Sequence, residues 1–194
     1  MNEAGTIGID EVGRGAWAGP LLVVATVLRK GKKLPEGLTD SKALTKKKRL
    51  DLYEKIIEVC DIGEGWVSAE MIDKLGLSDS LKSATILAMM KLDAPKDNEV
   101  IIDGSVDFLA NTQYNSVTTQ VKADLDVPIV SASSIIAKVL RDELMQFHAK
   151  NWPEYGFDSN VGYGTKKHIS ALDTMGPCSL HRLSYKPVKQ RLKT

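Results

Sequence analysis

Apolar positions along this chain follow two rhythms, and each predicts its own kind of element. Ile7–Ile9 and Leu21–Leu28 are short, nearly continuous apolar runs, the second apolar enough for a sheet interior. Ile62–Val67, Val100–Ile102 and Val117–Lys122 read as further strands. Elsewhere the spacing turns helical. Leu50, Tyr53, Ile57 and Cys60 recur at i, i+3, i+7 and i+10, which predicts a helix from about Thr45 with that face buried. Two more follow near Ala69–Lys74 and Ser80–Leu92, the latter burying Leu81, Ala84, Ala88 and Leu92. The longest runs from Ser134 to about Lys150, buried along Ile136, Leu140, Leu144 and Phe147. Trp152-Pro153 and the glycine-rich Gly156–Gly164 make a loop before a last helix, about Lys166–Asp173. The early strands lack helix-length crossovers, so an α/β domain with a mixed sheet is expected rather than a doubly wound parallel one.

Composition narrows the class without naming a function. With 194 residues, 43% hydrophobic and 26% charged, the chain is expected to form one soluble domain over 1–194 and to act as a monomer. No apolar stretch approaches the ~20 residues of a membrane span, and no basic-then-apolar segment opens the chain. Cys60 and Cys178 show no metal-binding spacing and read as structural thiols, so a cytoplasmic location is expected. The net charge of +1 hides an asymmetry. Residues 61–110 carry ten acids against four lysines, whereas 161–194 carry seven bases against Asp173 alone. A basic segment from about 161 is either a polyanion-binding surface or a solvated tail.

The densest chemistry lies in Thr6-Ile7-Gly8-Ile9-Asp10-Glu11-Val12-Gly13-Arg14-Gly15. Two adjacent carboxylates end an apolar run and a Gly-Arg-Gly turn follows. Neighbouring side chains of a strand point to opposite faces, so Asp10 and Glu11 are expected to serve one site only if the strand ends or bends there. Glycines allow such a bend and let the backbone approach a ligand, while arginine suits phosphate. Asp103 ends the strand Val100–Ile102 just before Gly104, and Asp124 precedes the longest helix. Four acids at element ends make an oxygen-rich set suited to magnesium or manganese. Two such ions can activate an attacking water and stabilise a leaving oxygen, so phosphodiester chemistry is expected. The three histidines, His148, His168 and His181, show neither a paired ligand spacing nor a triad partner, and His168 and His181 read as structural or phosphate-adjacent. Asp142 is expected in an ion pair, and Lys46-Lys47-Lys48-Arg49 on a solvated helix face.

Several segments together resemble ribonuclease HII, the type 2 ribonuclease H family, over nearly the whole chain. They are Gly8-Ile9-Asp10-Glu11-Val12-Gly13-Arg14-Gly15 with Ala18-Gly19-Pro20, then Thr39-Asp40-Ser41-Lys42-Ala43-Leu44, Ile102-Asp103-Gly104 and Lys122-Ala123-Asp124. Ala132–Asp142, Gly162-Tyr163-Gly164-Thr165-Lys166-Lys167-His168 and His181-Arg182-Leu183-Ser184-Tyr185 follow in the family's order. The resemblance implies a ribonuclease H-like fold, a mixed sheet of about five strands flanked by helices with a small helical C-terminal part. It implies endonucleolytic cleavage of RNA in RNA–DNA hybrids and on the 5′ side of single ribonucleotides in duplex DNA, leaving 3′-hydroxyl and 5′-phosphate ends. Carried over by motif, Asp10, Glu11, Asp103 and Asp124 are the catalytic, metal-binding carboxylates, with Mg2+ or Mn2+ as cofactor. Gly13, Arg14 and Gly15 would meet the 2′-hydroxyl and nearby phosphates, and Tyr163 the sugar of the nucleotide that follows. The 2′-hydroxyl is what tells RNA from DNA, and it both donates and accepts. Lys42, Lys46, Lys166 and Lys167 are candidate phosphate holders.

Departures from the family pattern are local. Trp17 stands where the opening motif has a smaller aliphatic residue, Ser133 replaces an alanine, and Gly76–Ser80 looks longer than the common bacterial form. Two other readings are weighed. One is a non-catalytic nucleic-acid-binding module, which an altered acid would have favoured. The other is the related type 3 ribonuclease H, which prefers long hybrids and usually carries an extra N-terminal domain; here the catalytic strand begins by Thr6.

Overall fold

The computed structural model describes residues 5–192, so Lys193 of the basic segment lies outside the described residues. The strands are β1 (Thr6–Val12), β2 (Leu21–Leu28), β3 (Cys60–Val67), β4 (Glu99–Asp103) and β5 (Val117–Gln120). The helices are α1 (Lys46–Ile57), α2 (Ala69–Leu75), α3 (Leu77–Leu92), α4 (Ala123–Asp126), α5 (Pro128–Ala149), α6 (Phe157–Asn160), α7 (Lys166–Met175) and α8 (Lys186–Lys189). The strands form one mixed sheet in the order β3-β2-β1-β4-β5. Pairing is antiparallel from β3 to β1 and parallel from β1 to β5. The mixed sheet is the expected one.

The uniformly apolar β2 is explained by burial on both sides. Leu21, Val23 and Ala25 pack with α3, while Leu22 and Val24 pack with α1 and α5. Helix α3 lies directly on β3: a Cβ at Gly63 or Gly65 would run into the backbone carbonyls of Ala88 and Ala84. Glycine in that strand interior therefore marks close backbone approach. Three helices, α1, α2 and α7, start at a hydroxyl cap. The hydroxyls of Thr45, Ser68 and Thr165 accept from the backbone N–H of Lys48, Met71 and His168 at 3.3, 3.2 and 3.3 Å.

Four expectations are corrected. The longest helix begins at Pro128, not Ser134. Proline at the first helical turn loses no bond and presets the backbone angle, so the apolar run at 128–130 opens the helix. Helix α1 buries Leu52 and Ile56, while Ile57 is 38% exposed, a face rotated from the expected one. In the C-terminal half of α5, Phe147 is 59% exposed and Arg141, Met145 and Ala149 are buried. That face meets a third core cluster, built from Ala18, Tyr155, Phe157, Val161, Leu172 and Val188. The predicted glycine-rich loop contains α6.

A candidate active site at the open edge of the central strand

The site follows from unequal pairing of β1. Its ladder with β2 continues through Asp10 and Glu11 to Val12↔Leu22, but its ladder with β4 stops at Ile9↔Ile102. The strand therefore neither ends nor bends at the two acids, as the sequence had suggested. Instead it overhangs its parallel neighbour, and side chains from both faces border the gap. Asp10 shares the face of Gly8, which rests against α5 at Ile129, and its carboxylate meets Ser134 of that helix. Asp103 is the last residue of β4, and its Oδ1 accepts from the N–H of Ala123 at 2.8 Å. That bond holds the start of α4, where Lys122 is left-handed (φ 63°) and Asp124 is buried. Ser131 of α5 donates to the Asp124 carbonyl at 2.7 Å, locking α4 to α5.

Electrostatics join the four acids into one neighbourhood. Burial, then repulsion from Glu11 and Asp103, pushes the Asp10 carboxyl up to about 8, although Ser134 and a backbone N–H pull it down. Burial also raises Glu11, with Asp103 and Asp124 adding to the rise and Arg14 and Lys42 opposing it. Asp124 is raised by burial and by the charges of Asp103 and Asp40, against Lys42. Arg14 stands 3.8 Å from Glu11. Among the described residues no three Asp, Glu, His or Cys side chains already close around a common point. An oxygen-only donor set of this kind suits a hard divalent cation. On donor chemistry and charge, the four carboxylates fit such an ion.

The Gly-Arg-Gly turn stands beside this set. Gly13 sits at φ +89°, and a Cβ there would strike the Arg141 guanidinium. A Cβ on Gly15 would lie 4.0 Å from the Tyr163 ring, so turn and ring face one another. Trp17 N–H and Ala18 N–H both donate to the Gly162 carbonyl, at 2.8 and 3.2 Å. A family model described as Ribonuclease HII matches residues 7–188. The chain belongs to that family.

Ribonuclease HII of Campylobacter jejuni subsp. doylei is 46% identical over 180 residues, covering 93% of this chain and 90% of that one. Among solved structures, the ribonuclease H2 of Pyrococcus horikoshii OT3 matches with a TM-score of 0.81 at 25% identity, covering 96% of each chain. The ribonuclease HII of Archaeoglobus fulgidus, solved in complex with PCNA, matches with a TM-score of 0.81 at 26% identity, covering 97% of each. The fold is thus ribonuclease H-like. The protein is a ribonuclease H, a metal-dependent endonuclease that acts on RNA in RNA–DNA hybrids. No helix among the described residues is long and apolar enough to cross a membrane.

The basic candidates separate in space. Lys42 reaches the acids: its charge is felt by Glu11 and Asp124. Its loop is pinned by Lys42 N–H to Asp40 Oδ1 at 2.9 Å and by the Ser41 and Ser134 hydroxyls at 3.0 Å. Lys46 instead points to Gln146 at 3.4 Å on the outer side of α5. Lys166 and Lys167 are exposed at the start of α7, just past the Tyr163 loop. Asp142 makes the expected ion pairs, with Lys138 at 2.8 Å and Arg49 at 3.6 Å, and so ties α1 to α5.

Sequence reasoning missed the arginines that hold the ribonuclease HII loops together. Arg141, fully buried, donates to the carbonyls of Pro20, Val161 and Ala18 at 2.9, 2.8 and 3.1 Å. Its guanidinium also lies 5.6 Å from the Tyr163 ring centre. Arg182 donates to Gly19 and Arg14 carbonyls, and the Tyr185 hydroxyl donates to the same Arg14 oxygen at 2.7 Å. The available signal was the i, i+4 spacing of Arg141 with Ala137 and Met145, which puts a charge on a buried face.

His168 of α7 and His181 beyond it are both buried. Burial and the neighbouring His168 push His181 down to about 4, from an ordinary 6.5. The unfolded chain then takes up a proton between 6.5 and about 4 that the folded chain refuses, so this contribution falls as pH falls. The raised carboxylates act in the opposite sense, so the histidine part is read as a difference. We expect the stability advantage of wild type over His181→Gln to shrink by up to about 2 kcal/mol between pH 7 and pH 5 in urea titrations. A gap that stays constant across that range would show that His181 is not held neutral.

Proposed function

We propose that this ribonuclease HII cleaves on the 5′ side of single ribonucleotides in duplex DNA as well as within RNA–DNA hybrids, by two-metal-ion hydrolysis. The carrying observation is the juxtaposition of the acid-lined gap with the facing pair Gly15 and Tyr163. Asp10, Glu11, Asp103 and Asp124 would hold the cations, Mg2+ or Mn2+. When bound, such ions supply the charge that activates an attacking water and stabilises the leaving oxygen. The chain's own residues do the rest. Gly13 and Gly15 bring bare backbone to the ribose, and donors and acceptors there pair the 2′-hydroxyl. Arg14, Lys42 and Lys166 hold flanking phosphates, and so fix the duplex on the site. Lys46, turned toward Gln146, contributes least.

Tyr163 packs a ring against the sugar of the next nucleotide, leaving little room for a second 2′-hydroxyl and so favouring a deoxyribose there over the ribose of a continuous hybrid. In the overall reaction water adds to phosphorus and the P–O3′ bond breaks. The upstream strand keeps a 3′-hydroxyl and the ribonucleotide a 5′-phosphate. Residues 1–194 are read as one catalytic domain acting as a monomer, and the free thiols of Cys60 and Cys178 fit a reducing cytoplasm.

The test is a DNA duplex with one embedded ribonucleotide, incubated with Mg2+ or Mn2+ and, in parallel, with a chelator. We expect a nick 5′ of the ribonucleotide that needs the ion. Cleavage confined to long hybrids would overturn the junction reading and favour type 3 behaviour.

A further inference from the structure

We propose that His168 and His181 form a positioning relay that sets the orientation of Tyr163. It rests on the reading of Tyr163 as the residue that senses the junction. The two rings meet Nε2 to Nε2 at 2.9 Å, with His168 fully buried and His181 nearly so. Proton accounting assigns both tautomers. His181 Nδ1 lies 2.9 Å from the Cys178 N–H, which can only donate, and 3.3 Å from the Cys178 carbonyl, which already accepts the His181 backbone N–H at 3.0 Å; the shorter contact leaves that nitrogen bare. His181 then carries its hydrogen on Nε2 and donates it to His168 Nε2. His168 in turn carries its hydrogen on Nδ1, which lies 3.0 Å from the Tyr163 carbonyl. Each hydrogen is used once, and the two backbone ends set the direction.

The relay ends on the peptide of the residue that faces Gly15. Tyr163 N–H is already committed to the Asn160 carbonyl at 2.9 Å, so with His168 on its carbonyl both peptide groups that flank the Tyr163 Cα are held. Asn160 is itself held, donating to the Tyr155 carbonyl at 2.7 Å and accepting from Gly162 N–H at 2.9 Å. Beside it, the Trp17 ring covers Gly164 and sits 5.5 Å from the His168 ring. Burying the two imidazoles costs desolvation unless each nitrogen is paired.

Two substitutions of His168 separate positioning from packing. His168→Gln puts an amide near the Nε2 position, keeping a partner for His181 and losing the donor to Tyr163. His168→Asn puts its amide near Nδ1, keeping that donor and losing the His181 bond. We expect the ratio of kcat/KM for a single-ribonucleotide duplex to that for a uniform RNA–DNA hybrid to fall about tenfold in the Gln variant, the loss of one well-placed hydrogen bond. In the Asn variant it should stay within about twofold, even if Tm falls in both. Equal losses on both substrates, tracking Tm, would overturn the proposal.

A 13C-labelled tyrosine-ring signal for Tyr163, assigned with Tyr163→Phe, supplies a readout independent of the reaction. It should be displaced or broadened in the Gln variant and retained in the Asn variant. If wild type leaves single ribonucleotides uncut, the junction reading fails, and this signal still decides the relay. If the Gln variant does not fold, imidazole 15N shifts of the wild type decide. Neutral rings, His168 protonated on Nδ1 and His181 on Nε2, support the relay; any other pair of tautomers overturns it.

Discussion

Replacing Asp10 by asparagine is expected to cut hybrid cleavage about a thousandfold or more while leaving the protein at least as stable. The size follows from charge. A carboxylate that helps hold a divalent cation contributes several kcal/mol to stabilising the reacting phosphate, and about 4 kcal/mol is roughly a thousandfold in rate. Asparagine keeps the shape and one oxygen but not the negative charge. The stability half follows from burial. Asp10 is only 7% exposed, and its neighbours Glu11 and Asp103 are also acids. Without a cation, ionising Asp10 means desolvating a charge among like charges, and asparagine removes that cost. Steady-state cleavage and a thermal melt in chelator test both halves. Turnover within tenfold of wild type would show that Asp10 is structural, and a marked fall in Tm would contradict the burial argument.

Arg141→Met should cost about 3–5 kcal/mol in urea unfolding, the second large effect. Methionine fills much of the volume and restores none of the hydrogen bonds. The carbonyls of Pro20, Ala18 and Val161 would be left without the donor they share. A buried carbonyl without a partner costs about 1–3 kcal/mol. Burial lowers the guanidinium to about 10, which still leaves it charged at neutral pH, with Asp142 and the three carbonyls offsetting its desolvation. Because Ala18 and Pro20 follow the Gly-Arg-Gly turn and Val161 precedes Tyr163, substrate affinity should fall too at temperatures where the variant stays folded. Arg141→Lys should rescue little, since one ammonium cannot reproduce a planar fork. A stability loss below about 1 kcal/mol would show that the loops are held elsewhere.

Much of the site was legible because its signals are local. Asp103 stands at a strand's end beside a glycine, and the structure puts it there. The buried face of α3 followed from spacing, since Leu81, Ala84, Ala88 and Leu92 are all buried. The faces of α1 and of the C-terminal half of α5 were not legible. Apolar spacing shows where a side chain could be buried, whereas packing depends on which neighbour arrives. Phe147 was left outside because Arg141, Met145 and Ala149 meet the C-terminal segment instead. Arg182 escaped notice for a related reason, since an arginine reads as a surface cation until the carbonyls that surround it are known.

The sequence by itself singled out the candidates for the proposed chemistry: four carboxylates and a glycine turn from residue type and short spacing, and a tyrosine on a glycine-rich loop from the resemblance to ribonuclease HII. Only the tertiary structure decided how they meet. It supplied the overhang of β1 past β4, which lets Asp10 and Glu11 share a gap without a bend. It also supplied the carbonyl-bound arginines and the histidine relay behind Tyr163. Ladder register and buried polar bonds join residues far apart along the chain, and their energies exist only once both partners are in place.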